Sequence, residues 1–145
     1  MGSTLVRPEL TDHPVDVGHR SEAAILSQLV RQGYRVLLPF GVNQRYDMVL
    51  DNDGRLLKVQ CKTGRLKEGA IRFSAQSVQS NMNGTRTRAY SGEVDLFAVY
   101  CPDNDRVYVI PANEVPATGM YLRVEMPRNS QRKRVRWAED YVLPA

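Results

Sequence analysis

The spacing of apolar positions along the chain predicts one amphipathic helix followed by a series of short strands. From about residue 17 to residue 32 the apolar side chains recur at helical spacing, and Gly33 stands where such a helix would end. Apolar runs bounded by turn residues predict strands at about 34–38, 46–51, 55–63, 71–74, 96–101, 106–110 and 120–124, with a helical turn near 112–115. The nearly continuous apolar run at 96–101 is typical of a central strand.

Two stretches of the chain show neither the helical spacing of apolar residues nor the apolar runs of strands. Residues 1–16 contain Pro8 and Pro14 and are expected to form an extended lead-in, whereas residues 79–92 are polar and are expected to form a loop. With 145 residues, the chain has the length of a single domain, which we expect to span residues 1–145.

Composition excludes several classes of protein. The chain is 42% hydrophobic and 25% charged, and no apolar run approaches the ~18 residues that a membrane span requires. The first residues lack the apolar segment of an export signal. Cys61 and Cys101 lie inside predicted strands, so we expect reduced core thiols in a cytoplasmic protein.

The chain carries a basic excess that is rich in arginine. It has 20 Lys and Arg against 16 Asp and Glu, giving a formal net charge of +4. Sixteen of the 20 basic residues are arginine, which suits phosphate and base recognition but would also follow from a GC-rich genome. A C-terminal run without acids is either a phosphate-binding segment or a solvated face. Its basic residues are Arg128, Arg132, Lys133, Arg134 and Arg136, and Arg86 and Arg88 in the predicted loop are a second candidate for DNA binding.

The predicted hairpin between residues 46 and 63 brings polar side chains together. If Asp53 and Gly54 are the central residues of a type I′ turn, this register places Asp47 opposite Gln60. Lys62 lies two residues further along the same face. A carboxylate, an amide oxygen and an ammonium so arranged suit a divalent-metal nuclease, because the oxygens can bind Mg²⁺ and the lysine can stabilise phosphate charge. The opposite face would be wholly apolar, with Tyr46, Met48, Leu50, Leu57, Val59 and Cys61.

Glu22 falls in the middle of the apolar stripe of the helix. A carboxylate on the buried side requires a cation, which could be a metal or a basic residue. The structural alternatives are a salt bridge to Arg35 or Arg45, or a favourable position at the helix start.

The other candidates also have structural alternatives. Asp47 could simply end a hairpin, and Gln60 and Lys62 could lie on the solvent face of an edge strand. His13 and His19 have no partner spacing and are interpreted as surface or capping residues.

The order of these residues resembles the PD-(D/E)XK nuclease superfamily, in the variant where Gln replaces the second acid. The resemblance is carried by Ser21-Glu22-Ala23, Tyr46-Asp47-Met48-Val49, Val59-Gln60-Cys61-Lys62-Thr63-Gly64 and Asp95-Leu96-Phe97-Ala98-Val99-Tyr100, and it covers about residues 17–125. It implies a mixed α/β, restriction-endonuclease-like core, with a mixed sheet flanked by helices. It places Glu22, Asp47, Gln60 and Cys61 at the metal, and it makes Lys62 the catalytic lysine. Tyr46 stands where the family pattern has proline, and Gln60 is neutral.

The chain is particularly similar to small intron-encoded homing endonucleases of that superfamily. The resemblance implies a Mg²⁺-dependent endonuclease, with Mn²⁺ as a possible substitute, that cuts double-stranded DNA at specific sequences. Because cutting two strands needs two sites, we expect a homo-oligomer, and the homing relatives assemble as tetramers. Two alternatives remain: a dimeric Holliday-junction resolvase, and an inactive nuclease fold kept as a DNA-binding subunit.

Overall fold

The computed structural model describes residues 4–41, 44–81, 84–89, 92–127, 129 and 135–145, with the backbone alone for 78–81 and 84–89. One helix and ten strands are assigned in these residues, together with two short 3₁₀ helices at Ala112–Glu114 and Ala138–Asp140. The elements are α1 (Pro14–Arg31), β1 (Arg35–Leu37), β2 (Met48–Asn52), β3 (Arg55–Thr63), β4 (Arg65–Lys67), β5 (Ala70–Ser74), β6 (Gln76–Asn81), β7 (Gly84–Ala89), β8 (Leu96–Cys101), β9 (Arg106–Pro111) and β10 (Gly119–Arg123).

Helix α1 begins three residues earlier than the apolar spacing predicts. His13 is the N-cap, and its side chain accepts a hydrogen bond from the backbone N–H of Val15 at 3.2 Å. Pro14 occupies the first helical turn, where its missing N–H costs nothing, so residues 14–16 are helical and the extended lead-in is shorter than predicted. Gly33 has a φ of 91°, as predicted for the residue that ends the helix.

Five strands form a mixed sheet in the order β1-β2-β3-β8-β9. Strands β1, β2 and β3 pair antiparallel, β3 pairs parallel with β8, and β8 pairs antiparallel with β9. The hairpin register is confirmed from Asn52–Arg55 back to Met48–Val59. Asp53 and Gly54 have φ values of 53° and 87°, which a type I′ turn requires.

The ladder between β2 and β3 ends one pair before the predicted Asp47–Gln60 pair. The backbone N–H of Asp47 donates to the carbonyl of Val59 instead, at 2.9 Å. Tyr46 therefore leaves the face predicted for it and packs against the cluster on the opposite side of the sheet. The prediction of one wholly apolar face was wrong at this residue, because the two strands diverge there.

A second sheet, in the order β10-β5-β4, continues from the end of β3. The chain enters it at Gly64, where an added Cβ would lie 2.7 Å from Cγ2 of Ile71 and 2.9 Å from Cγ1 of Val99. Only glycine permits this close approach of the two sheets. Strand β4 was not predicted, because its three residues include only one apolar side chain, Leu66, and therefore form no apolar run.

Strands β6 and β7 form a separate two-stranded sheet. The register runs from Gln76–Ala89 to Asn81–Gly84. The prediction of a loop over residues 79–92 was therefore wrong for most of that segment. The sequence there is almost entirely polar, so a strand leaves no alternation of apolar and polar positions to detect.

Two core clusters lie on opposite faces of the five-stranded sheet. The first packs α1 against the sheet and comprises Ile25, Leu29, Met48, Leu50, Val59, Ala98 and Val107. The second packs the three-stranded sheet against the other face and includes Ile71, Phe73, Phe97, Val99, Cys101, Tyr108, Ile110, Met120 and Leu122. Both cysteines are free thiols, and no helix in the described part of the chain is long and apolar enough to span a membrane.

Candidate active site

The candidate site forms where β2 diverges from β3. Beyond Met48 the backbone N–H of Cys61 has lost its partner strand, and the carboxylate of Asp47 accepts its hydrogen bond at 2.8 Å. The side chain of Asp47 therefore takes the place of a strand backbone, which fixes its carboxylate beside β3. This contact positions one acid of the site without using a salt bridge.

Glu22 approaches the same point from α1. The adjacent Ser21 is buried, and its hydroxyl oxygen lies 2.5 Å from the hydroxyl oxygen of Thr63 at the end of β3. Desolvation by burial raises the pKa of Glu22, the charge of Asp47 raises it further, and His19 lowers it. The two carboxylates are thus close enough to interact, although they come from a helix and a strand far apart in sequence.

The ionised form of Asp47, like that of Glu22, is disfavoured by burial. Burial raises the pKa of its carboxyl group, while the N–H of Cys61 and the charge of Lys62 act in the opposite direction. Two partly buried carboxylates near each other are costly unless a cation lies between or beside them. A positive charge beside these two carboxylates would offset part of this cost.

Lys62 supplies a positive charge at the same place. Burial lowers the pKa of its ammonium group to about 8, Asp47 raises it, and Arg45 lowers it. The Nζ atom donates a hydrogen bond to the carbonyl of Gln76 at 2.8 Å. Lys62 is thus a partly desolvated ammonium held between the site and the start of β6.

Gln60 and Cys61 occupy successive positions of β3. Gln60 is only 9% exposed, and its Nε2 lies 3.4 Å from the carbonyl oxygen of Cys61, to which it donates. Burial and the charges of Asp47 and Glu22 strongly raise the pKa of the Cys61 thiol. The thiol therefore stays protonated, and Cys61 serves the site through its main chain.

Comparison with known proteins supports the nuclease interpretation. A family model described as PD-(D/E)XK endonuclease matches residues 13–144. The chain belongs to this family. Among solved structures, it is similar to the bacterial homing endonuclease I-Ssp6803I, with 25% sequence identity and a TM-score of 0.70 over 89% of this chain and 88% of that chain. No curated protein matches the chain. The predicted family and the mixed α/β, restriction-endonuclease-like fold are confirmed.

The donor set fits the divalent metals that PD-(D/E)XK nucleases generally use. The structure brings together the carboxylates of Asp47 and Glu22, and Asp47 bonds to β3 at the residue after Gln60. Hard cations such as Mg²⁺ prefer carboxylate and amide oxygens. No group of three or more His, Cys, Asp or Glu residues that could hold a metal occurs within the described ranges. The ligands of a metal bound here would therefore be the two carboxylates together with neutral oxygen atoms.

Two features of the site were not predicted from the sequence. Arg45, expected only as an alternative partner of Glu22, forms a salt bridge with Glu93 and donates to the hydroxyl of Ser77 at 2.7 Å. The contact between Ser21 and Thr63 was also missed. The available signal was position, since Arg45, Ser21 and Thr63 each lie within two positions of a predicted site residue.

Most of the side chains that were predicted to bind DNA lie outside the described part of the PD-(D/E)XK domain. Arg86 and Arg88 belong to β7, where the backbone alone is described, and Arg128, Arg132, Lys133 and Arg134 lie outside the described ranges. Arg136 is described: its guanidinium lies 3.6 Å from the carboxylate of Glu114, and its carbonyl accepts from the N–H of Arg123.

Proposed function

We propose that the protein is a metal-dependent DNA endonuclease of the homing type, which hydrolyses phosphodiester bonds of double-stranded DNA at specific sequences. The observation that carries this proposal is the meeting of Glu22, Asp47 and Lys62 where β2 leaves β3. Two acids and one ammonium from three elements, all partly desolvated, form a site for a cation and a phosphate together.

The proposed metal is Mg²⁺, with Mn²⁺ as a substitute. Asp47, Glu22 and the amide oxygen of Gln60 would hold it, and Cys61 would contribute through its main chain because its thiol stays protonated. When bound, the metal supplies Lewis-acid activation of the attacking water and of the scissile phosphate. The N–H of Cys61 keeps the Asp47 carboxylate in place with or without the metal.

Lys62 is the proposed catalytic cation. Its ammonium group offsets the negative charge that develops on the phosphate, and it orients water through a second N–H. One of its donors is fixed by the carbonyl of Gln76, which limits the directions that the others can take. Desolvation strengthens this electrostatic effect because little solvent screens the charge.

We propose that the active form is a homo-oligomer of single-domain protomers, a dimer or a tetramer. One protomer has one constellation of Glu22, Asp47, Gln60 and Lys62, whereas a double-strand cut needs two. The similarity to a bacterial homing endonuclease supports sequence-specific duplex DNA as the substrate. Arg86, Arg88 and the basic residues between 128 and 136 are the proposed DNA contacts.

Cleavage assays on three DNA substrates test the proposal. Linear duplex, supercoiled plasmid and a four-way junction are incubated with wild type and with Asp47→Ala, in Mg²⁺ and in EDTA. Mg²⁺-dependent cutting of duplex or plasmid at defined sites by wild type alone supports the homing-type assignment. Cutting confined to the junction would instead assign a resolvase. A wild type that binds DNA but neither binds Ca²⁺ in a calorimetric titration nor cuts any of the substrates would identify an inactive nuclease fold.

A further inference from the structure

The outer face of the three-stranded sheet carries a row of basic and aromatic side chains. The register aligns Arg65 of β4 with Arg72 of β5, and Arg72 with Tyr121 of β10. Lys67 and Arg123 follow two residues further along the outer strands. We name Arg65, Lys67, Arg72, Tyr121 and Arg123 the basic sheet face. On the opposite side of the same sheet, Ile71 and Leu122 are fully buried.

Two arginines stand directly opposite each other in this row. Like charges at facing positions of a sheet are destabilising, so the pairing of Arg65 with Arg72 opposes folding. Glu68 offsets part of the charge through a 3.2 Å contact with Arg72, but Arg65 and Lys67 remain exposed. A basic row kept at the expense of stability is expected of a surface that binds an anionic partner.

Tyr121 gives this row a fixed geometry. The guanidinium carbon of Arg72 lies 5.0 Å from the centroid of the Tyr121 ring, within the range of a cation–π contact. Tyr121 itself is 61% exposed, so the ring and its hydroxyl also face solvent. A cleft of about 550 Å³ adjoins the row, and its lining includes Thr63, Arg65, Arg72, Ser74, Thr118 and Tyr121. Its charged and hydroxyl groups can donate hydrogen bonds to phosphate oxygens.

The basic sheet face lies beside the candidate active site. Arg65 follows Lys62 by three residues, and a fully extended chain of that length spans at most about 10–11 Å. Thr63 belongs to both places, since it contacts Ser21 at the site and also lines the cleft. A duplex whose scissile phosphate reached Lys62 would bring neighbouring phosphates near Arg65 and Arg72.

We propose that the basic sheet face binds the sugar–phosphate backbone of duplex DNA beside the scissile bond. This inference rests on the proposed nuclease function and adds a contact surface to it. Arg65 and Arg72 contact phosphates, Lys67 extends the surface along β4, and Tyr121 holds the guanidinium of Arg72 in position. Because these contacts do not read base edges, they contribute affinity for every duplex sequence.

The test measures how DNA affinity depends on salt. A fluorescein-labelled duplex of arbitrary sequence is titrated with the full chain by fluorescence anisotropy at several NaCl concentrations, with Ca²⁺ in place of Mg²⁺ to prevent cleavage. The variants are Arg65→Gln, Arg72→Gln and their combination. Each lost phosphate contact should reduce the slope of log K against log salt by about 0.9. The control is Arg55→Gln, which removes the same charge at the opposite, exposed end of β3 and should leave the slope unchanged.

Failure of this inference can be separated from failure of the proposed function. If wild type binds duplex DNA but Arg65→Gln and Arg72→Gln retain its slope and affinity, the basic sheet face does not bind DNA while the nuclease proposal stands. If wild type binds no duplex, both proposals are overturned. Should half-buried Arg72 prove necessary for folding, as judged by circular dichroism, the exposed pair Arg65→Gln and Lys67→Gln decides the question in its place.

Discussion

The hydroxyl groups of Ser21 and Thr63, 42 positions apart in sequence, lie 2.5 Å from each other between helix α1 and strand β3. Each is the direct neighbour of a proposed site residue, Glu22 on the helix and Lys62 on the strand. The contact therefore joins the two elements at the point where their functional side chains must meet. Its expected role is to position Glu22 relative to β3.

Removal of this contact should weaken both folding and catalysis. Ser21→Ala and Thr63→Val are each expected to lower the free energy of unfolding by about 1 kcal/mol, because each leaves one part-buried hydroxyl without its partner. The double variant should cost less than the sum of the two, since both remove the same bond. Urea unfolding measures these changes. Ser27→Ala, at an exposed position of the same helix, is the matched control.

A positioning role also predicts a kinetic effect. Ser21→Ala should lower kcat for DNA cleavage more than it changes DNA affinity, because the buried hydroxyl of Ser21 is not a proposed DNA contact. Stability loss with unchanged kcat at full saturation would show that the bond between Ser21 and Thr63 is only structural.

Lys62→Ala should abolish most cleavage while leaving DNA binding nearly intact. An electrostatic stabiliser of this type commonly contributes ~10²–10³ in rate, whereas one charge among many contributes little to duplex affinity. Single-turnover cleavage and anisotropy binding measure the two quantities. Lys58→Ala, an exposed lysine four residues earlier on the same strand, should retain wild-type rates. Full activity of Lys62→Ala would remove this residue from the site.

Sequence periodicity predicted most of the five-stranded sheet because its strands obey strong local rules. The Asp53-Gly54 turn fixed the register of β2 and β3, and the bounds of β3 and β8 agree with the predicted ranges. Strands β6 and β7 were missed because their polar sequence shows no period, although their backbones pair fully in the described residues. Local signals thus fail where pairing is not driven by burial.

The sequence was enough to propose which residues form the site, but not how their side chains are arranged. Extension of the hairpin register placed Asp47 opposite Gln60, whereas the strands diverge after Met48 and Asp47 bonds to the N–H of Cys61. Where the strands diverge, Tyr46 packs against the second core cluster, a tertiary contact that the hairpin register does not record. The proximity of Glu22 to Asp47 likewise depends on how α1 lies across the sheet, which no local pattern records.

The Gln60 variants separate an active enzyme from an inactive nuclease fold. Gln60→Glu should keep metal-dependent cleavage, because a carboxylate in place of the amide adds charge beside the metal and favours its binding. Gln60→Ala should lose most activity, because one oxygen ligand is removed. Nicking rate against Mg²⁺ concentration, with calorimetric Ca²⁺ titration beside it, measures these effects. A wild type that neither binds metal nor cuts, with both restored by Gln60→Glu, would identify the inactive fold.

Asp47→Asn should stabilise the metal-free protein at neutral pH. Burial raises the pKa of Asp47, so the folded chain disfavours its ionised form more than the unfolded chain does. The resulting penalty is present at pH 7, falls as the pH drops through the folded pKa, and is absent below the unfolded pKa of about 3.9. Asparagine can still accept the N–H of Cys61 but carries no charge. In urea unfolding with EDTA, the free energy of unfolding of Asp47→Asn should therefore exceed that of wild type at pH 7. The difference should shrink toward pH 4.

The same substitution should alter the titration of Glu22 and the response to metal. The charge of Asp47 contributes to the raised pKa of Glu22, so an NMR titration of Asp47→Asn should find the Glu22 pKa closer to its ordinary value. Added Ca²⁺ should stabilise wild type by mass action and leave the variant unchanged, because one ligand is lost. A variant less stable than wild type in EDTA at pH 7, or equally stabilised by Ca²⁺, would mean that Asp47 is a structural carboxylate and not a metal ligand.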